Sequence, residues 1–74
     1  MTLIQLGKKL NEMYFGSDDG ESVAMIHLFG IKYASEIQDS GESKKSIAQA
    51  AGIQESYSAE ISKGVKLSKY VTLK

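Results

Sequence analysis

Proline is absent from this sequence, and its glycine-bearing breaks are few: GSDDG (16–20), DSGES (39–43) and the Ala51-Gly52-Ile53 corner. Without proline, no position forbids helix, so the breaks set where helices stop. They divide the 74 residues into helical segments at about 2–15, 20–38, 43–51 and 54–63, with an extended tail over 66–73. The expected fold class is all-α, a small four-helix domain over residues 1–74. A chain this short buries only about 60% of its unfolded surface, so its core depends on close helix packing or on a second copy.

Within the first segment, Leu3, Leu6, Leu10, Met13 and Tyr14 recur at helical spacing among Lys8, Lys9, Asn11 and Glu12, forming one apolar stripe. Gly16 is expected to end this helix in a left-handed cap, and Asp18 with Glu21 resembles a capping box for the next. GSDDG lacks the oxygen-ligand spacing of a calcium loop, so its acids read as caps. In the second segment Val23, Ile26, Gly30, Ala34 and Ile37 form a stripe that Met25, Leu28, Phe29 and Tyr33 widen. A helix apolar on nearly all sides is central to a core or shared with another chain. Gly30 costs roughly 1 kcal/mol against alanine in mid-helix, which points to a close helix approach there. Gly41 and Ser43 read as terminator and next N-cap.

Composition excludes several function classes. Cysteine is absent, His27 is the only histidine, and no Gly-rich phosphate loop or activated nucleophile is present. No metal site, cofactor or catalytic residue is therefore expected, and the chain does not read as an enzyme. His27, isolated among apolar residues, reads as a packing residue. No apolar run reaches the roughly 18 residues of a membrane span, so a cytoplasmic location without membrane contact is expected.

Charge is distributed unevenly. Residues 1–43 carry three lysines against seven acids, a net −4, and residues 44–74 carry six lysines against Glu55 and Glu60, a net +4. The basic half would attract a phosphate backbone. All its cations are lysines, so guanine could not be held by an arginine fork.

The run KKSIAQAAGIQESYSAEISKG (44–64) carries the most specific pattern. Ala48 is small where a second helix would cross the first, and Gly52 follows four residues later, where the turn needs positive φ. Ile53 comes directly after the turn, and Ile61, nine residues past Gly52, can reach back to the core. Gly64 reads as the left-handed cap of the second helix. These residues resemble the helix-turn-helix of phage repressors and Cro-type proteins, small bacterial or phage DNA-binding domains, over about twenty residues. One departure stands at Ser58, where the pattern usually has valine or isoleucine, and Tyr57 is placed to supply some of the missing packing.

The resemblance implies that the second helix lies in the major groove of double-stranded DNA. Base contacts would then come from Gln54, Glu55, Ser56, Ala59, Glu60 and Lys63. Phosphate contacts would come from Lys44, Lys45, Tyr57, Lys66 and Lys69. The implied role is a sequence-recognition module, either a small transcriptional regulator or the N-terminal module of a larger bacterial or phage protein. The alternative is a protein-interaction module with a purely structural turn. It would form a homodimer through helix 23–37 or through the strand-prone Tyr70–Leu73 tail, whose lack of a partner strand suggests a fragment of a longer chain.

Overall fold

Local capping chemistry sets the helix starts. Thr2 opens the first helix with a reciprocal pair: the Gln5 amide donates to Thr2 Oγ1 at 3.2 Å, and the Thr2 amide donates to Gln5 Oε1 at 2.9 Å. In the computed structural model, which describes residues 1–71 and 73, this helix is α1, Leu3–Phe15. It is followed by α2 (Ser22–Lys32), α3 (Ala34–Ser40), α4 (Lys44–Ala51), a 3-10 turn at Glu55–Tyr57 and α5 (Ser58–Leu67). The fold is all-α, with no strand among the described residues. Ser43 caps α4 by accepting from the Ser46 amide at 3.1 Å, and Gly41 ends α3 at φ 70°.

The boundaries differ from expectation at four places, each with a tertiary or local cause. Gly16 closes α1 at φ −90°, its amide donating to Glu12 O at 3.0 Å, and the left-handed glycine of that break is Gly20 at φ 80°. No capping box forms on Asp18; its carbonyl accepts from the Glu21 amide in a turn, and α2 begins at Ser22 without a side-chain cap. The expected single helix over 20–38 bends at Tyr33 (φ −110°, ψ 22°) into α2 and α3. As one rod it would run about 28 Å at 1.5 Å per residue, nearly the 31 Å longest extent of the molecule. The bend, with the Tyr33 ring tilted against Phe29 at 5.4 Å, turns Ile37 back into the core instead.

The fourth difference lies at the C-terminal end. Gly64 does not terminate the last helix. It sits in the interior of α5, which continues to Leu67. Beyond it the Tyr70 amide donates to Leu67 O at 2.9 Å and the Val71 amide to the same carbonyl at 3.1 Å. The tail read as extended over 66–73 thus begins as helix and winds through a turn; Thr72 and Lys74 lie outside the described residues. A strand has no partner here to satisfy its backbone, whereas the turn uses carbonyls that α5 already offers.

The core joins Leu6 and Leu10 of α1, Ile26 and Phe29 of α2, Ile37 of α3, Ile47, Ala48 and Ala51 of α4, and Ile61 and Val65 of α5. Central α2 packs on α1 and most extensively on α5, while α4 packs on α1 and α5. Its apolar surface is therefore largely used within the chain, although Val23, from the expected stripe, is exposed.

Two helix crossings are unusually close. A Cβ on Gly30 would lie 2.7 Å from Ile61 O and 2.8 Å from Gly64 Cα. On Gly64 it would lie 2.3 Å from His27 O. The helix-propensity cost of Gly30 is thus explained by backbone-to-backbone contact between α2 and α5. At the α1–α4 crossing, a Cβ on Gly7 would meet Ala50 Cβ at 2.6 Å.

Candidate nucleic-acid interface

The corner between α4 and α5 is built by backbone chemistry around Gly52. At φ 77° this residue occupies the left-handed region that glycine enters without steric cost. Its amide donates to Gln49 O at 3.0 Å, and the Ile53 amide donates to Ala48 O at 3.1 Å. That paired pattern is a Schellman closure. Ile53 then packs onto the core, and Ala48 and Ile61 are fully buried beneath the corner. From outside the motif, Asn11 Nδ2 donates to Ala51 O at 2.9 Å, tying α1 to the last turn of α4.

The second helix of the motif starts later than its sequence suggests. Gln54 is extended (φ −64°, ψ 140°), Glu55–Tyr57 form the 3-10 turn, and α-helix proper begins at Ser58. Ser58, at the position usually occupied by a branched apolar residue, is half-buried. The packing it does not provide comes from Tyr57, whose ring lies against the core and 5.7 Å from that of Tyr14. The neighbouring Tyr14 hydroxyl holds the Tyr57 phenol above its ordinary value.

Gln54, Glu55, Ser56, Ala59 and Lys63 are exposed at the start and along the outer side of this unit, and Lys66 and Lys69 continue beyond them. On α5 the spacing 59, 63, 66 places Ala59, Lys63 and Lys66 along one helical stripe. Lys45 is exposed and Lys44 half-buried at the first turn of α4.

The two acids of this surface are both occupied by neighbours. Glu55 accepts a hydrogen bond from Gln49 Nε2, bridging the 3-10 turn to α4. Glu60 is half-buried on the side of α5 that faces α2, its Oε1 2.7 Å from His27 Nε2 and its Oε2 3.1 Å from Lys63 Nζ. His27 first, and Lys63 second, hold the Glu60 carboxyl below the usual glutamate value. Position 60 thus differs from the other candidate base contacts, which are exposed. The His27–Glu60 pair spans 33 residues and Asn11–Ala51 spans 40; no local spacing signals either of them.

Among the described residues no group of histidine, cysteine, aspartate or glutamate side chains is assembled to hold a metal ion. No helix among them is long and apolar enough to cross a membrane. Among curated proteins and solved structures none matches this chain. The description HTH-like domain fits residues 2–74, α1 through the tail as well as the α4–α5 corner, and the chain belongs to that family.

Proposed function

We propose that this domain binds double-stranded DNA, presenting the 3-10 turn and α5 to the major groove in the manner of phage repressor and Cro-type domains. The observation that carries this reading is the α4–α5 corner: a glycine-closed turn holds an exposed, lysine-bearing helix face whose two acids are already occupied. Gln54 would pair bidentately with adenine, Ser56 would contact a base or a phosphate, and Ala59 would meet a thymine methyl. Lys63 would add a base-edge or phosphate contact, while Lys44, Lys45, Lys66 and Lys69 would track the backbone. Glu55 and Glu60 act in this reading by steadying Gln49 and Lys63 rather than by reading bases. Tyr57 acts as the packing residue that sets the angle of α5. Lysine without arginine favours phosphate affinity over guanine discrimination, so one copy would bind modestly, as a module of a regulator or of a larger protein.

Fluorescence anisotropy of a labelled duplex across a salt series tests this reading. About five lysine–phosphate contacts predict a slope of log K against log salt near −4.5, hence a loss of roughly 500-fold between 50 and 200 mM. Lys45→Ala or Lys66→Ala should each reduce that slope by about 1. Binding that is absent at low salt, or independent of salt, would contradict the proposal.

A further inference from the structure

Two exposed apolar features of opposite electrostatic setting lie in different parts of the chain. The first is Phe15, the last residue of α1, 63% exposed. Its only ring neighbour among the described residues is Tyr14, in an edge contact at 4.9 Å. Around it in sequence are Glu12, Asp18, Asp19 and Glu21 against Lys8 and Lys9, all exposed and none in an ion pair among the described residues, so the surroundings are net acidic. The second is a shallow hollow of about 310 Å³ between α2 and the end of α5, lined by His27, Lys63, Lys66, Leu67 and Tyr70. Leu67 is 42% and Tyr70 82% exposed; of the two lysines on the rim, Lys63 is paired with Glu60 at 3.1 Å and Lys66 has no ion-pair partner among the described residues, which leaves the rim net positive.

Single exposed apolar residues are ordinary on a protein surface. The pairing here is specific: an aromatic knob with an acidic collar, and an apolar hollow with a basic rim. Knob against knob would bring carboxylates together, and hollow against hollow would bring ammonium groups together, both unfavourable. Knob in hollow satisfies both the apolar surface and the charge.

We infer that copies of this chain associate head to tail, Phe15 of one copy seating in the His27–Leu67–Tyr70 hollow of the next with its acidic loop against Lys63 and Lys66. Such a contact is heterologous, so it propagates into a ring or an open chain rather than stopping at a symmetric pair. It shares Lys63 and Lys66 with the DNA reading, so the two contacts compete for one surface, and association measured without DNA tests it separately.

Sedimentation velocity of the full chain over a range of concentrations, at low and moderate salt, tests the contact. The expected result is a mass that grows with concentration and shrinks as salt screens the collar charges. Phe15→Glu and Leu67→Glu each remove one half of the contact and should weaken association about 10-fold or more. Phe15→Glu retains the hollow and Leu67→Glu retains the knob, so a mixture of the two should give a capped one-to-one complex and nothing larger. Should either apolar variant lose its helical circular dichroism, Asp19→Lys and Lys66→Glu replace them: each should weaken assembly alone, and both in one chain should restore it. A wild-type chain that stays monomeric at every concentration overturns the inference. So does a wild-type chain that assembles while complementary variants neither pair nor rescue one another.

Discussion

The two close crossings of this domain use glycine in different ways. At the α2–α5 crossing, Gly30 and Gly64 face each other, and the atoms a new Cβ would meet are backbone: His27 O at 2.3 Å on one side, Ile61 O at 2.7 Å on the other. At the α1–α4 crossing, the nearest atom to a Cβ on Gly7 is the Ala50 Cβ at 2.6 Å, with the Ala50 backbone carbon and oxygen at 2.8 and 3.0 Å. A polar clamp sits at each: His27 with Glu60 across α2 and α5, Asn11 with the Ala51 carbonyl across α1 and α4. The first seam sets how the outer helix of the motif lies on the core; the second anchors the inner helix. At the first seam every obstructing atom is backbone, whereas at the second the nearest one is a removable methyl with backbone behind it.

That difference predicts unequal and differently repairable damage. Gly64→Ala should destabilise the domain by about 3 kcal/mol despite the better helix propensity of alanine, because the added methyl can be accommodated only by separating α2 from α5. In thermal unfolding this is a fall in Tm of roughly 12–24 °C. A Gly64→Ala chain as stable as the parent would show that the crossing is looser than described.

Gly7→Ala should cost less, about 1–2 kcal/mol. Combining it with Ala50→Gly should recover about 1 kcal/mol of coupling in a double-mutant cycle, although Ala50→Gly alone weakens α4 by a similar amount. The backbone carbon of Ala50 at 2.8 Å from the added Cβ keeps the rescue incomplete. Strictly additive losses would erase the distinction between the two seams.

The smallest effect concerns the clamp on the outer seam. Glu60 has a folded value lowered by His27 and then Lys63, so its contribution is fully present above the ordinary glutamate value and fades as pH falls through the lowered one. Denaturant unfolding should show Glu60→Gln less stable than wild type near neutral pH, with the two curves converging in acid. A gap that is constant with pH would assign the loss to packing instead.

The parts of the fold that were legible in sequence are those with local causes. Ala48, Gly52, Ile53 and Ile61 satisfy a steric pattern confined to one corner, and Gly41 and Ser43 are caps that act within one turn. Gly64 shows the opposite situation. A lysine followed by glycine carries the local signal of a helix end, yet the glycine is there for a neighbour 34 positions earlier, and the helix runs through it. The bend at Tyr33 is similarly set by where Ile37 must go. In the candidate interface, the exposure of Ala59 and Lys63 follows from helical spacing on α5, whereas Gln54 and Ser56 are exposed on the extended residue and the 3-10 turn that precede it. That Glu60 turns inward does not follow from spacing, because its partner His27 lies on another helix and reads in sequence as an isolated apolar-face histidine.

The central claim is that the basic half of the domain meets phosphate through the α4–α5 unit. Its most direct test is to titrate isotopically labelled protein with a random-sequence duplex at low and moderate salt, following backbone amide shifts. The account predicts shifts that cluster on Lys44–Lys69, are largest around Gln54–Lys63, and fade as salt rises. Unshifted amides across that span at low salt, or shifts centred on residues 23–37 that track protein concentration alone, would contradict it.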